Sequence, residues 1–245
     1  MTANLLELRG VHTHIGRYHI LHGVDLAVPA GRVTMLLGRN GAGKTTTLRT
    51  VMGLWRASQG TIAFDGAPIH ARATPDIAAA GIGYVPEAMG IFTDLTVKEN
   101  LLLAARGAKS VDAMDTARLE RLFGFFPALR TFWLHPAGLL SGGQKQMLSV
   151  ARAMVEPRAL LLVDEPSKGL APAIVANLVA ALAEVRSEGT AILLVEQNVA
   201  VARQLGDTVA VMDGGRVVHA GTMAALAADE ALQRRLLGLS LEAHA

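Results

Sequence analysis

A glycine-rich segment that ends in a lysine and a threonine could bind phosphate. It fits the pattern G-x-x-x-x-G-K-[ST] and consists of Gly38, Arg39, Asn40, Gly41, Ala42, Gly43, Lys44 and Thr45. An apolar run, Val33 to Leu37, precedes it, and a predicted helix from about Thr45 to Met52 follows, which is the context of a P-loop rather than of an ordinary turn. Backbone N–H groups and the helix N-terminus would bind the phosphates of a nucleoside triphosphate, with Thr46 among the contacts. Lys44 would reach the β- and γ-phosphates, and Thr45 would ligate Mg²⁺.

A second glycine-rich segment, Leu140-Ser141-Gly142-Gly143-Gln144, predicts the start of another helix. Ser141 stands at an N-cap position and Gln144 at capping-box spacing. An exposed helix N-terminus beside two glycines can bind an anion, yet one chain does not need two sites for one triphosphate. The economical interpretation is that Ser141, Gly142, Gly143 and Gln144 bind the γ-phosphate held by another subunit. A plain helix cap is the alternative.

Two adjacent carboxylates close an apolar strand, Leu160 to Val163. Asp164 at the strand end can hold Mg²⁺ through water, and Glu165 can polarise the attacking water as a general base. A surface acidic turn is the alternative, and the order and spacing of the other two motifs make it improbable.

The elements that must position these motifs indicate an α/β fold. The first residues alternate between apolar and polar and predict short antiparallel strands. Val33 to Leu37, Leu160 to Val163 and Ala191 to Val195 read as buried strands separated by helices, which predicts a mostly parallel sheet. The stretch from about 91 to 153 reads mostly as helical and is the candidate for a separate lobe.

Shorter signals fix individual helix ends and turns. Thr96 and Glu99 have capping-box spacing. Thr74 is the predicted cap of a short helix with Pro75 at its first position. Asp213-Gly214-Gly215 predicts a hairpin.

Bulk composition excludes several classes of protein. Apolar residues make up 51% and charged residues 18% of the 245, a globular composition. The formal net charge of +2 is too small to argue for nucleic-acid binding. The absence of cysteine excludes disulfides and thiolate metal sites. Neither a secretory signal nor an uncharged stretch of membrane-spanning length is evident, so we expect another chain to supply any membrane part.

As a set, the P-loop, the Leu-Ser-Gly-Gly-Gln segment and the strand ending in Asp164-Glu165 resemble the ABC ATPase family over essentially the whole chain. The resemblance implies a P-loop NTPase (RecA-like) core, an N-terminal antiparallel β region and an inserted helical lobe. Residues 1–245 would form a single nucleotide-binding domain, with about 91–153 as the helical subdomain. It also implies hydrolysis of ATP and a head-to-tail dimer with two ATP molecules at its interface.

A narrower resemblance is to the second ATP-binding subunit of branched-chain amino acid importers. It rests on three segments, which are Tyr84-Val85-Pro86-Glu87, Asp164-Glu165-Pro166-Ser167 with Gly169-Leu170-Ala171-Pro172, and Val195-Glu196-Gln197-Asn198. Subunits of urea and short-amide importers look much alike, and they remain open as an alternative.

Four positions differ from the broad family pattern. Glu87 stands where most members have a Gln that senses Mg²⁺ and the membrane partner, and a carboxylate can also ligate Mg²⁺. Gln197 replaces the usual switch His but can still donate a hydrogen bond to a γ-phosphate. Leu170 replaces an Asp. The aromatic that stacks on adenine aligns with Ile15, so Tyr18 would have to substitute for it, or base recognition would be weak.

Two further features have no assigned function. Lys168 stands where the subgroup often has Leu. Four histidines lie close together in the first strands, at positions 12, 14, 19 and 22. A metal site is conceivable there, but a solvated strand face is the simpler interpretation because no acidic ligand is patterned beside them.

The resemblance implies several partners for the chain. These are a second ATP-binding subunit, integral membrane permease subunits and, indirectly, a periplasmic binding protein, at the cytoplasmic side of a bacterial inner membrane. We expect no nucleic-acid partner. A non-transport ABC ATPase acting on nucleic acid or the ribosome is the alternative, but Ser141 follows Glu87 by 54 residues, which leaves no room for a long coiled-coil insertion. The Leu-Ser-Gly-Gly-Gln segment makes a P-loop kinase or GTPase remote.

Overall fold

The computed structural model describes residues 3–105, 107–108, 110 and 113–237, which form two sheets and the helices around them. The strands are β1 Asn4–Ile15, β2 Tyr18–Pro29, β3 Val33–Gly38, β4 Ala57–Phe64, β5 Ala67–Pro68, β6 Ile82–Val85, β7 Leu160–Asp164, β8 Ala191–Val195, β9 Thr208–Asp213 and β10 Arg216–Thr222. The helices are α1 Lys44–Val51, α2 Thr74–Ala79, α3 Val97–Ala104, α4 Thr116–Phe125, α5 Pro127–Thr131, α6 Gly142–Met154, α7 Pro172–Ser187, α8 Val199–Leu205, α9 Met223–Ala228 and α10 Glu230–Leu237.

The larger sheet has six strands in the order β10-β9-β3-β8-β7-β6. All neighbours are parallel except β10, which returns antiparallel to β9 through the predicted Asp-Gly-Gly turn. The parallel order brings the carboxyl ends of β3, β7 and β8 to one edge. The P-loop, the acidic pair and the segment with Gln197 each follow one of these strands.

The smaller sheet is antiparallel, in the order β2-β1-β4-β5. The predicted short strands at the start are two strands of 12 residues, because bulges absorb the interruptions. One register shift lies between Leu8 and Val11, around Gly10, whose φ of +55° a side chain would disfavour.

Two apolar cores lie on opposite faces of the larger sheet. Along its central strands, successive side chains point alternately into one core and the other. In β7, Leu160 and Leu162 pack with the smaller sheet and α1, whereas Leu161 and Val163 pack with helices such as α6 and α7. Burial on both faces explains why these strands read as unbroken apolar runs. The α/β fold with its antiparallel N-terminal sheet is therefore as predicted.

The stretch from 91 to 153 holds α3, α4, α5, a 3₁₀ helix at Ala137–Leu139 and α6, and its described residues include no strand. Residues 106, 109, 111 and 112 of this stretch lie outside the described residues, as do 238–245 of the predicted helical tail. Both capping boxes form, Thr96 with Glu99 at α3 and Ser141 with Gln144 at α6.

The start of α2 differs from the prediction. Thr74 is its first residue, and Ala73 is the N-cap, without a side-chain cap. The backbone explains the shift, since the N–H groups of Asp76 and Ile77 both donate to the carbonyl oxygen of Ala73.

Candidate active site

The P-loop folds as the turn between β3 and α1. Gly41 and Gly43 have φ values of +80° and +104°, and a Cβ at Gly38 would collide with the carbonyl oxygen of Met212. Lys44 is buried, and its Nζ donates to the carbonyl oxygens of Gly38 at 2.8 Å and Arg39 at 3.0 Å. Burial lowers the pKa of Lys44 although nearby carboxylates oppose it. The ammonium is thus held over its own loop, where it can meet phosphate oxygens.

A cavity of about 420 Å³ lies in front of the P-loop. Its lining consists of Ile20, Asn40, Gly41, Gly43, Lys44, Thr45, Thr46, Glu87, Glu165 and Lys168. The structure therefore brings the central P-loop residues together with two of the predicted acidic groups. Gly38, Arg39 and Ala42 shape the loop without lining this cavity.

Asp164 ends β7 at the base of the site and is fully buried. The Thr45 hydroxyl donates to its Oδ1 at 3.1 Å, while its Oδ2 has no hydrogen-bond partner. Burial raises the pKa of Asp164 to about 6, against the hydrogen bond from Thr45, which lowers it. A buried carboxylate oxygen without a partner is costly unless something binds it.

The oxygen atoms of Thr45, Asp164 and Glu87 are chemically suited to bind Mg²⁺. A hydroxyl and carboxylates are the hard oxygen ligands that the ion prefers, and Mg²⁺ at such sites takes its remaining ligands from phosphates and water. Across the described ranges no three His, Cys, Asp or Glu side chains are arranged to hold a metal by themselves. Thr45, Asp164 and Glu87 could therefore hold Mg²⁺ together with a bound nucleotide.

Glu165 is held by hydrogen bonds to residues at the end of β8 and directly after it. Its φ is +47°, and its N–H donates to the carbonyl oxygen of Val195 at 2.9 Å. The side-chain amide of Gln197 donates to Glu165 Oε1 at 2.6 Å and to Asn40 Oδ1 at 2.9 Å. Gln197 therefore ties the carboxylate of Glu165 to Asn40 of the P-loop and can orient it, although Gln197 is not among the residues that line the P-loop cavity.

Sequence reasoning gave no role to Glu196, the buried residue beside Gln197. Its carboxylate accepts hydrogen bonds from the N–H and hydroxyl of Ser167 and from the N–H groups of Gln197 and Asn198. Burial raises the pKa of Glu196, and these donors lower it. The group fixes the loop after Glu165 against the loop after β8. An acidic residue directly after a buried strand was the available signal.

Lys168 also joins the site. Its Nζ lies 2.6 Å from Glu87 Oε1 and 3.6 Å from Glu165 Oε2. The hydrogen bond to Glu87, followed by the nearby negative charges, raises the pKa of Lys168.

The Ser141 segment lies outside the P-loop cavity. Ser141, Gly142, Gly143 and Gln144 form the exposed or half-buried N-terminus of α6, and none of them lines the P-loop cavity. A Cβ at Gly143 would lie 2.8 Å from Ile174 Cδ1 and 3.5 Å from Leu170 Cδ2. These two apolar side chains therefore lie against the Ser141 segment, and Leu170 is the residue that stands in place of the usual Asp.

Tyr18 lies at the turn of the first hairpin, paired with Ile15, and its side chain is 61% exposed. The guanidinium of Arg17 stacks on its ring at 5.3 Å. Ile20, and not Tyr18, lines the cavity. Among the four histidines, the ring of His19 stacks on those of His12 and His14 and lies tilted against that of His22, and His12 Nδ1 is 3.0 Å from His19 Nε2.

Comparison with known proteins agrees with this geometry. A model of the ABC transporter family matches residues 21–168. The branched-chain amino acid transport ATP-binding protein BraG of Pseudomonas aeruginosa is 37% identical over 96% of this chain and 100% of its own length. The probable branched-chain amino acid transport protein LivF of Archaeoglobus fulgidus is 34% identical over 95% of this chain and 99% of its own.

A solved ATP-binding subunit of an ABC transporter superposes with a TM-score of 0.83 at 29% identity, covering 97% of this chain and 96% of its own. Other relatives at 31–32% identity are named for methionine import and for lipopolysaccharide export. The chain belongs to the ABC transporter family, as an ATP-binding domain that hydrolyses ATP in transport. None of the helices within the described ranges has the length and apolarity to cross a membrane.

Proposed function

We propose that this chain is the ATP-hydrolysing subunit of an importer for branched-chain amino acids. The observation that carries the hydrolytic part is that Lys44 and Glu165 line one cavity, with Gln197 bonded to Glu165. Thr45, which also lines this cavity, donates a hydrogen bond to the buried Asp164. The cargo part rests on the match to BraG, which extends over all of that protein.

Each side chain has a task set by its position. Lys44 and the P-loop N–H groups bind the terminal phosphates, and Thr45, Asp164 and Glu87 hold Mg²⁺, which when bound supplies positive charge to the phosphate oxygens. Glu165 accepts a proton from the attacking water. Gln197 keeps the carboxylate of Glu165 in place, since it donates to Oε1 and leaves Oε2 on the side of Lys168.

A second subunit completes this site. The N-terminus of α6 presents Ser141 and its glycines to solvent, away from the cavity of its own chain. The N-terminus of a helix can bind an anion, and this one does not line the P-loop cavity of its own chain. It therefore fits the γ-phosphate of an ATP molecule bound to a partner's P-loop. We therefore infer a head-to-tail dimer with ATP between each P-loop and the opposite Ser141 segment.

Permease subunits would bind on another face, at the cytoplasmic side of the inner membrane. A cleft of about 310 Å³ lies between the loop after β6 and α6, with Pro86, Met89 and Arg152 in its lining. Phe92, 49% exposed, stacks with Arg152 nearby. The same loop carries Glu87 into the nucleotide cavity, so a partner in the cleft would contact a segment that also reaches the nucleotide.

The hydrolytic part is tested with Glu165→Gln. Loss of the general base should lower ATP turnover by roughly 10²–10⁴-fold, while calorimetry should show that MgATP still binds. Wild-type turnover in this variant would place the base elsewhere.

The cargo part is tested by uptake of radiolabelled leucine, isoleucine and valine in a host strain that lacks the gene. The wild-type gene should restore uptake and Glu165→Gln should not. Unchanged branched-chain uptake in the deletion strain, with loss of urea or short-amide uptake, would refute the cargo and leave the hydrolytic site intact.

A further inference from the structure

An ion bridge joins the two carboxylates that face the phosphate cavity. Lys168 Nζ lies 2.6 Å from Glu87 Oε1 and 3.6 Å from Glu165 Oε2, so one ammonium serves both acids. The two carboxylates come from different parts of the chain, Glu87 from the loop after β6 and Glu165 from the end of β7. Without a cation between them they would repel each other.

The backbone around Lys168 is held in place. The N–H of Lys168 donates to the carbonyl oxygen of Glu165 at 3.3 Å, and the neighbouring Ser167 is fixed by two hydrogen bonds to the buried Glu196. Gly169, with a φ of +71°, then turns the chain away. The lysine stem therefore starts from a fixed point beside the cavity, and only its side chain has to move for the bridge to open.

The bridge occupies one oxygen of a carboxylate that would bind Mg²⁺. Asp164 Oδ2 is buried without a partner, but Glu87 Oε1 is already bonded to the ammonium. A divalent cation that binds Glu87 has to displace that ammonium, share Oε1 with it, or bind Oε2 of the same carboxylate close beside it. Both the ion and the ammonium are cations, so their mutual repulsion adds to the competition.

We propose that Lys168 is a tethered cation that holds Glu87 and Glu165 together before nucleotide binds and competes with the divalent metal for Glu87. This inference rests on the proposed function, which makes Glu87 a metal ligand. In the nucleotide-free protein Lys168 neutralises the acidic cavity and keeps the loop after β6 near Glu165. Binding of the metal–nucleotide complex releases the lysine, and with it the link between that loop and the hydrolytic carboxylate.

The test measures metal binding without turnover. Mn²⁺ replaces Mg²⁺ as a paramagnetic probe, and its free concentration is followed by electron paramagnetic resonance in the presence of saturating ADP. Lys168→Met keeps most of the stem and removes the charge. It should bind Mn²⁺ about two- to fivefold more tightly than the wild type, the range that an exposed ion pair accounts for.

Two variants control for charge and for the general effect of removing a lysine. Lys168→Arg keeps the positive charge, so its Mn²⁺ affinity should stay within about twofold of that of the wild type. Lys98→Met removes a lysine on α3, outside the cavity lining, and should leave Mn²⁺ affinity unchanged. In a Glu87→Gln background, Lys168→Met should raise the Mn²⁺ affinity by a smaller factor, because the side chain for which the two cations compete is no longer charged.

Equal or weaker Mn²⁺ binding by Lys168→Met would overturn the proposal. Weaker binding of ADP by this variant in EDTA, together with weaker Mn²⁺ binding, would instead make Lys168 a phosphate ligand, which also overturns it. If the wild-type protein binds no Mn²⁺ with ADP at all, the proposed function of the site fails and this inference fails with it.

Discussion

Replacing Asp164 with asparagine should stabilise the nucleotide-free protein at neutral pH and do so progressively less at acidic pH. Burial raises the pKa of this carboxyl from 3.8 to about 6. Well below pH 3.8 the carboxyl is protonated in both the folded and the unfolded protein, so its raised pKa does not change the free energy of unfolding. As pH rises from about 4 to about 6, the unfolded chain releases its proton first, so the free energy of unfolding falls. Above pH 6 that loss is constant.

The size of the effect follows from the pKa values. A difference of about two pH units, at about 1.4 kcal/mol per unit, gives a loss of about 3 kcal/mol above pH 6. Because the side chain is fully buried, solvent screening does not reduce this much. Asparagine cannot ionise, and its side-chain oxygen can still accept from Thr45. The free energy of unfolding of Asp164→Asn, relative to that of the wild type, should therefore increase by about 2 kcal/mol between pH 4.5 and pH 8.

Urea unfolding of both proteins in EDTA, at intervals across this pH range, measures the difference. The exposed Asp94 provides a matched control, since Asp94→Asn should show no comparable pH dependence. Stability curves for wild type and Asp164→Asn that stay parallel from pH 4.5 to pH 8 would refute the argument. The same variant should lose its response to Mg²⁺ in ATP binding, because a neutral amide is a poor ligand for that ion.

Two other substitutions test the remaining parts of the site. Lys44→Ala removes the buried ammonium beside the P-loop, so ATP affinity measured by calorimetry should fall by at least about tenfold, as expected for a charge-assisted hydrogen bond; equal affinity would contradict the P-loop assignment. Ser141→Arg places a bulky cation on the exposed start of α6, so a monomer should still bind ATP while hydrolysis is lost. A Ser141→Arg protein that hydrolyses ATP at the wild-type rate would rule out the composite dimer site.

The local features of this protein could be predicted because their causes are local. The run Val33 to Leu37 predicts a doubly buried strand, and the glycines and Lys44 after it predict the loop and helix that the structure shows. The capping boxes at Thr96 and Ser141 depend on side chains three residues apart. The predicted start of α2 is wrong by one residue because the backbone, and not the Thr74 side chain, fixes that end.

The relations between distant parts of the chain were decided by the tertiary structure. Sequence motifs indicate that Asn40, Glu165 and Gln197 are functional, but only the parallel order of β3, β8 and β7 brings Gln197 within hydrogen-bond distance of the other two. The same holds for the bridge from Lys168 to Glu87, residues that lie 81 positions apart. Neither residue carries a local signal for the other, since an ion pair depends on separation in space. The sequence by itself determined which groups could act on ATP; the packing of the strands determined which of them meet, because side chains at strand ends are placed by their neighbours in the sheet.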